Sequence, residues 1–104
     1  MKDSAKRKAF DEDGITQVMT YIVRRENLDA LALMAEGGQG SVEIGCLKIR
    51  STSKKEYTLN IDGLYMHVET MKLTYYEGKQ PLWVLQLFSD LYPLGRIYFE
   101  EMEE

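Results

Sequence analysis

Cysteine, histidine and proline are scarce in this chain, which has one Cys, one His and two Pro among 104 residues. A single cysteine, Cys46, excludes an internal disulfide and leaves no cysteine pair for a zinc site. The uncharged stretch 80–89 is far shorter than the roughly 20 apolar residues of a membrane-spanning helix. We therefore expect no bound metal, no cofactor and no membrane span.

The glycine-rich and acidic stretches do not match ligand-binding motifs. In "GGQGSVEIG" the glycines follow a predicted helix and precede a predicted strand, whereas phosphate loops follow a strand and open a helix. The acidic "DEDG" fails as a calcium loop, because Thr16 and Ile22 stand where that loop needs Gly and an acid. His67 lies near Glu69, but no nucleophile accompanies the pair. These residues predict a protein that is not an enzyme.

The length and charge pattern predict one domain over residues 1–104. The formal net charge is −4, so the chain has no overall attraction for nucleic acid or anionic lipid. Residues 1–10, "MKDSAKRKAF", are basic and predict a flexible arm, whereas residues 101–104 form an acidic tail. No apolar run follows the basic residues, so we expect no signal peptide and a cytoplasmic location.

The first third of the chain predicts helix. Apolar residues recur at helical spacing in one series, Ile15 to Val23, and in a second series, Leu28 to Met34. Gly37 then follows as a typical helix stop. Whether residues 15–36 form one helix or two stays open at this point.

Strand patterns follow Gly40. Residues 57–61 alternate strictly, and "DG" at 62–63 is a turn signal. The apolar positions change parity at Gly45 and near Glu69, which predicts β-bulges. The resulting prediction is an α+β fold, in which an N-terminal helix or helix pair packs on an antiparallel sheet of about five strands.

The stretch 82–88, "LWVLQLF", is apolar on both faces of a strand, so both faces need cover. The predicted helices would cover one face, and either a curled sheet or another chain would cover the second. We favour another chain, with a second copy as the simplest partner. The candidate interface residues are Leu82, Trp83, Val84, Leu85, Leu87, Phe88 and Tyr92.

These features predict a small cytoplasmic protein-interaction module, such as a regulator, adaptor or inhibitor, that associates with itself as a homo-oligomer. The alternative is a single-stranded nucleic-acid-binding protein, in which sheet aromatics stack bases and a local basic patch contacts phosphates. The candidate patch consists of Lys48, Arg50, Lys54, Lys55 and Tyr57.

Overall fold

The computed structural model describes residues 4–52 and 56–103. Within these ranges the chain forms nine strands and one helix, in the order β1 (Ser4–Phe10), β2 (Gln17–Val23), α1 (Arg25–Ala35), β3 (Gly40–Ile44), β4 (Leu47–Ser51), β5 (Tyr57–Ile61), β6 (Leu64–Val68), β7 (Thr70–Glu77), β8 (Pro81–Ser89) and β9 (Tyr92–Glu101). Strands contain most of the described residues and the helix contains only 11, so the fold is mostly β.

The strands form two sheets. Sheet A has the order β1-β2-β9-β8-β7, and sheet B is a four-stranded meander, β3-β4-β5-β6. All neighbouring strands are antiparallel except β2 and β9, which are parallel. Helix α1 connects β2 of sheet A to β3 of sheet B, and the main core contains apolar residues from α1 and from both sheets.

The predicted α+β fold class is wrong, because the described chain is mostly β with two sheets, and the first part of the expected N-terminal helix is a strand. Residues 17–23 form β2, in which Tyr21 and Val23 point to the main core. The spacing of Met19 and Val23 suits a helix, but with Tyr21 between them it also has the two-residue period of a strand. Since β-branched and aromatic side chains dominate this segment, strand is the preferred state.

Helix α1 accounts for the second apolar series of the N-terminal third. Leu28, Leu31 and Met34 are buried on one face of the helix. At its end the N–H of Gly38 donates to the carbonyl of Leu33, and Gly37 has a φ of 100°. This is the Schellman arrangement, in which glycine takes the left-handed conformation that other residues avoid.

The two parity changes are not bulges but places where the chain reverses or changes sheet. Gly45, with a φ of 58°, lies in the two-residue turn of the β3–β4 hairpin. Glu69 separates β6 of sheet B from β7 of sheet A. The predicted "DG" turn is confirmed, since Asp62 and Gly63 both have positive φ between β5 and β6.

The two ends of the described chain take part in sheet A. Residues 4–10, expected as part of a flexible arm, form β1 and pair with β2 from Ser4–Ile22 to Phe10–Gln17. Glu101, the first residue of the expected acidic tail, is the last residue of β9. In the part of the chain that the structure describes, no helix has both the length and the apolar content needed to span a membrane.

Tyr57 links sheet B to the helix. Its ring is buried in the main core, and its hydroxyl donates a hydrogen bond to the backbone carbonyl of Met34. Burial raises the pKa of the Tyr57 hydroxyl above its ordinary value. The neutral hydroxyl is therefore the form that the folded state prefers.

We expect Tyr57→Phe to lower the free energy of unfolding by about 1 kcal/mol at pH 7, because one buried hydrogen bond is lost. The raised pKa makes the stabilisation complete below about pH 10, and this stabilisation is lost as the pH rises through the folded-state value. Urea unfolding at pH 7 and above pH 10 measures both effects. The prediction fails if the variant loses stability in alkali as steeply as the original protein.

Candidate functional site

Both faces of β8 are covered by the chain itself. Leu85 and Leu87 point to the main core, whereas Leu82 and Val84 lie in a second apolar cluster on the other face of sheet A. Leu82 and Val84 are both 0% exposed. The members of the second cluster are Ala9, Leu82, Val84 and Tyr98, with Val18 and Tyr76 packed against them.

Sheet A curls so that its first hairpin reaches the turn between β7 and β8. The backbone N–H of Phe10 donates to Oε1 of Gln80 over 3.1 Å. Gly78 lies so close to the carbonyl oxygen of Glu12 that a Cβ atom there would approach it to 2.4 Å. An ion pair of 3.2 Å between Arg96 and Glu12 connects the loop between β1 and β2 to β9. These contacts hold the loop in place at the side of the second cluster.

The loop between β1 and β2 is organised by Asp11. Its Oδ1 accepts hydrogen bonds from the backbone N–H groups of Asp13, Ile15 and Thr16 over 3.2–3.3 Å. Desolvation acts to raise the pKa of Asp11, but these donors outweigh it and lower that pKa. The charged carboxylate therefore shapes the loop that closes sheet A.

The candidate interface residues on and after β8 have different environments. Leu82, Val84, Leu85 and Leu87 are buried, Trp83 and Phe88 are half-buried, and Tyr92 is exposed. The interpretation favoured from the sequence, that a second copy covers this strand, is therefore wrong, because the curled sheet covers both of its faces. Trp83 and Tyr92 remain accessible to a partner.

A groove of about 1120 Å³ lies where β8 begins and β9 ends. Trp83 and Tyr75 form its aromatic part, with ring centroids 4.7 Å apart and planes tilted by 48°. The two residues are paired across β7 and β8. The lining consists of Ile22, Arg25, Tyr75, Gln80, Pro81, Trp83, Glu100, Glu101, Met102 and Glu103.

The groove is acidic, since its lining has three carboxylates and one guanidinium. The Arg25 guanidinium carbon lies 5.8 Å from the centroid of a Trp83 ring, which is within cation–π range. Arg25 also forms ion pairs of 3.3 Å with Glu101 and 3.2 Å with Asp29. Gln80 donates to Glu100 over 2.7 Å. In this arrangement the Arg25 cation lies over an aromatic ring and beside carboxylates.

Sequence reasoning identified Trp83 but not the residues that surround it. Arg25 and Glu101 are 76 positions apart, and Glu101 belonged to a segment expected to be a solvated tail. No sequence signal joins them, because their contact depends on the parallel pairing of β2 with β9. Tyr75 was visible only as one of many tyrosines in the C-terminal half.

The residues of the nucleic-acid patch that the sequence indicated do not share one surface. Lys48 and Arg50 are exposed on β4, on the face of sheet B that points away from the core. Tyr57 lies inside the core and therefore cannot stack on a base from solvent. Lys54 and Lys55 lie outside the residues that the structure describes.

His67 and Glu69 are both exposed and do not line the groove. His67 lies on the outer face of β6, and Glu69 accepts a hydrogen bond from the Ser89 hydroxyl over 3.2 Å. Among the described residues, no three His, Cys, Asp or Glu side chains are grouped so as to hold a metal ion. Comparison with known proteins finds no matching family, no matching curated protein and no matching solved structure.

Proposed function

We propose that this chain is a small cytoplasmic, non-enzymatic protein-interaction module that binds an extended basic segment of a partner protein in the groove at Trp83. The observation that carries the proposal is the aromatic pair Trp83–Tyr75 in an open groove with an excess of carboxylates. The cytoplasmic location rests on the composition of the sequence alone.

The aromatic pair supports a binding role for the groove. Tryptophan and tyrosine are enriched among the residues that contribute most to protein interfaces, since each buries a large, rigid surface. Trp83 is half-buried and Tyr75 is exposed, so part of each ring is available to a ligand. A partner side chain that covers these rings would gain apolar contact without disturbing the core.

The charges of the groove favour a basic partner. Glu100, Glu101 and Glu103 outnumber Arg25, and complementary charge both steers association and selects partners. Arg25 itself shows what fits, since its guanidinium lies over Trp83 and pairs with Glu101. An arginine of a partner would find the same two kinds of contact.

The edge of sheet A favours an extended partner segment. Strand β7, which carries Tyr75, is an edge strand of sheet A and has β8 as its sheet neighbour. Exposed edge strands present backbone donors and acceptors to which an extended peptide adds as a further strand. Such pairing would bring alternate side chains of the peptide towards the groove.

Self-association does not follow from β8, because the curled sheet already covers that strand. A second copy of the chain would have to bind through another surface, such as the groove itself. Light scattering at several protein concentrations measures whether such a dimer forms.

We expect a labelled extended peptide with alternating arginine residues to bind the protein, and its acidic counterpart not to bind. Trp83→Ala should weaken binding of the basic peptide at least about fivefold, since anchor residues of this kind typically contribute more than about 1 kcal/mol. Fluorescence anisotropy of the peptide measures the affinity. The matched control is Tyr92→Ala, which removes an aromatic ring outside the groove.

Because Trp83 also packs against the main core, a second variant separates binding from folding. Glu101→Gln keeps the shape of the side chain and removes its charge. It should therefore lower the affinity for the basic peptide severalfold and leave the free energy of unfolding unchanged. Equal binding of acidic and basic peptides, or full affinity in both variants, would contradict the proposal.

A further inference from the structure

The outer face of sheet B carries polar and basic side chains in two rows across the four strands. This face points away from the main core, because the alternate residues of each strand are the buried ones. The register places Glu43, Lys48, Asn60 and Tyr65 in one row and Ser41, Arg50, Thr58 and His67 in the other.

Aromatic and basic residues stand at fixed separations on this face. Lys48 and Arg50 lie on β4, whereas Tyr65 and His67 lie on β6, with β5 between them. Since neighbouring strands are about 4.8 Å apart, the two pairs are separated by roughly 10 Å. The intervening β5 residues on this face, Thr58 and Asn60, are small and polar and leave the surface flat.

Tyr65 is an exposed aromatic residue on this face. Its side chain is 78% exposed, so it contributes little to the burial of apolar surface. An exposed aromatic ring on an open sheet is the feature on which single-stranded nucleic acids stack their bases. His67, in the next outward position of the same strand, offers a second flat ring.

We propose that the outer face of sheet B binds single-stranded nucleic acid, with Tyr65 and His67 stacking on bases and with Lys48 and Arg50 contacting phosphates. The two rows contain two cations and one carboxylate, Glu43, although the whole chain is acidic. The site is separate from the groove at Trp83 and does not depend on the function proposed for it.

This site differs from the patch that the sequence indicated, because Tyr65 and not Tyr57 provides the aromatic ring. Tyr57 and Tyr65 lie on neighbouring strands, but Tyr57 points into the core and Tyr65 points to solvent. Stacking needs an accessible ring face, so only Tyr65 meets the requirement. The unpaired bases of a single strand reach such a ring, whereas the bases of a duplex are already stacked on one another.

Fluorescence anisotropy with a labelled oligothymidine of about 12 nucleotides tests the proposal at low salt. We expect binding whose logarithmic salt dependence has a slope of about −1.4, because two phosphate contacts contribute about −0.7 each. Lys48→Gln and Arg50→Gln should each make the slope shallower by about 0.7. Tyr65→Ala should weaken binding about 5- to 160-fold, the range that loss of one stacked base gives.

Tyr92→Ala is the matched control, since it removes another exposed tyrosine that lies outside sheet B. Glu101→Gln, which changes an exposed side chain of the groove, should leave oligothymidine binding unchanged. Absence of binding at low salt overturns the proposal. Binding that survives Tyr65→Ala unchanged, or that is equally strong for a duplex of the same length, overturns it as well, because general attraction of a polyanion would then suffice.

Discussion

Val84→Asp is expected to leave no stably folded protein at neutral pH. Val84 is 0% exposed and lies in the second apolar cluster, where no solvent reaches an introduced carboxylate. Burial of an unpaired charge costs several kcal/mol, which is comparable to the total stability of about 5–15 kcal/mol of a small domain. Circular dichroism and urea unfolding measure the loss.

The matched control for this change is Leu91→Asp, because Leu91 is 89% exposed and its replacement should leave unfolding nearly unchanged. Val84→Thr provides a graded variant of similar shape, and it should fold with a stability lower by about 1–3 kcal/mol. If Val84→Asp instead folded normally and only failed to associate, the outer face of β8 would be an open interface and the curled sheet would be refuted.

Phe99→Ala is expected to lower the free energy of unfolding by about 3–5 kcal/mol. Phe99 is fully buried in the main core, and its ring centroid lies 6.1 Å from that of Tyr21 on the neighbouring strand β2. It also pairs with Trp83 across β8 and β9. Removal of the ring leaves a cavity where β2, β8 and β9 meet, and packed interiors close such cavities only in part.

Urea unfolding measures this loss, with Phe10→Ala as the matched control. Phe10 is the same residue type on an edge strand and is 44% exposed, so its removal should cost much less. Binding of the basic peptide in the groove should also weaken in Phe99→Ala, because Trp83 loses the side chain of its cross-strand neighbour. Equal costs for the two substitutions would mean that Phe99 does not lie in the main core.

The two proposed sites lie in different parts of the fold and share no residues. The groove forms where the strands of sheet A extend to Glu101, and the nucleic-acid face is the solvent side of sheet B. Because Glu101 and Tyr65 are both exposed, Glu101→Gln and Tyr65→Ala form a reciprocal pair of tests. Each variant should impair one ligand and retain the other.

Local patterns predicted several elements correctly. The alternation of residues 57–61 gave a strand, the "DG" pair gave a hairpin turn, and the series from Leu28 to Met34 gave the buried face of α1. The prediction failed at 15–23, where spacing was read as helical although β-branched and aromatic residues prefer the extended state. Tertiary pairing with β9 decided that segment.

By itself the sequence determined which residues must be buried, including both faces of the stretch from Leu82 to Phe88. Only the tertiary structure decided which residues bury them. Hydrophobic periodicity shows that a side chain must be buried, but it does not show which part of the chain packs against it. Residues of β1 and β2, about 70 positions away, cover the outer face of β8. They do so because sheet A curls, which brings the N–H of Phe10 within hydrogen-bond distance of Gln80. The same long-range pairing placed Arg25 beside Trp83 and Glu101, which no local pattern indicates.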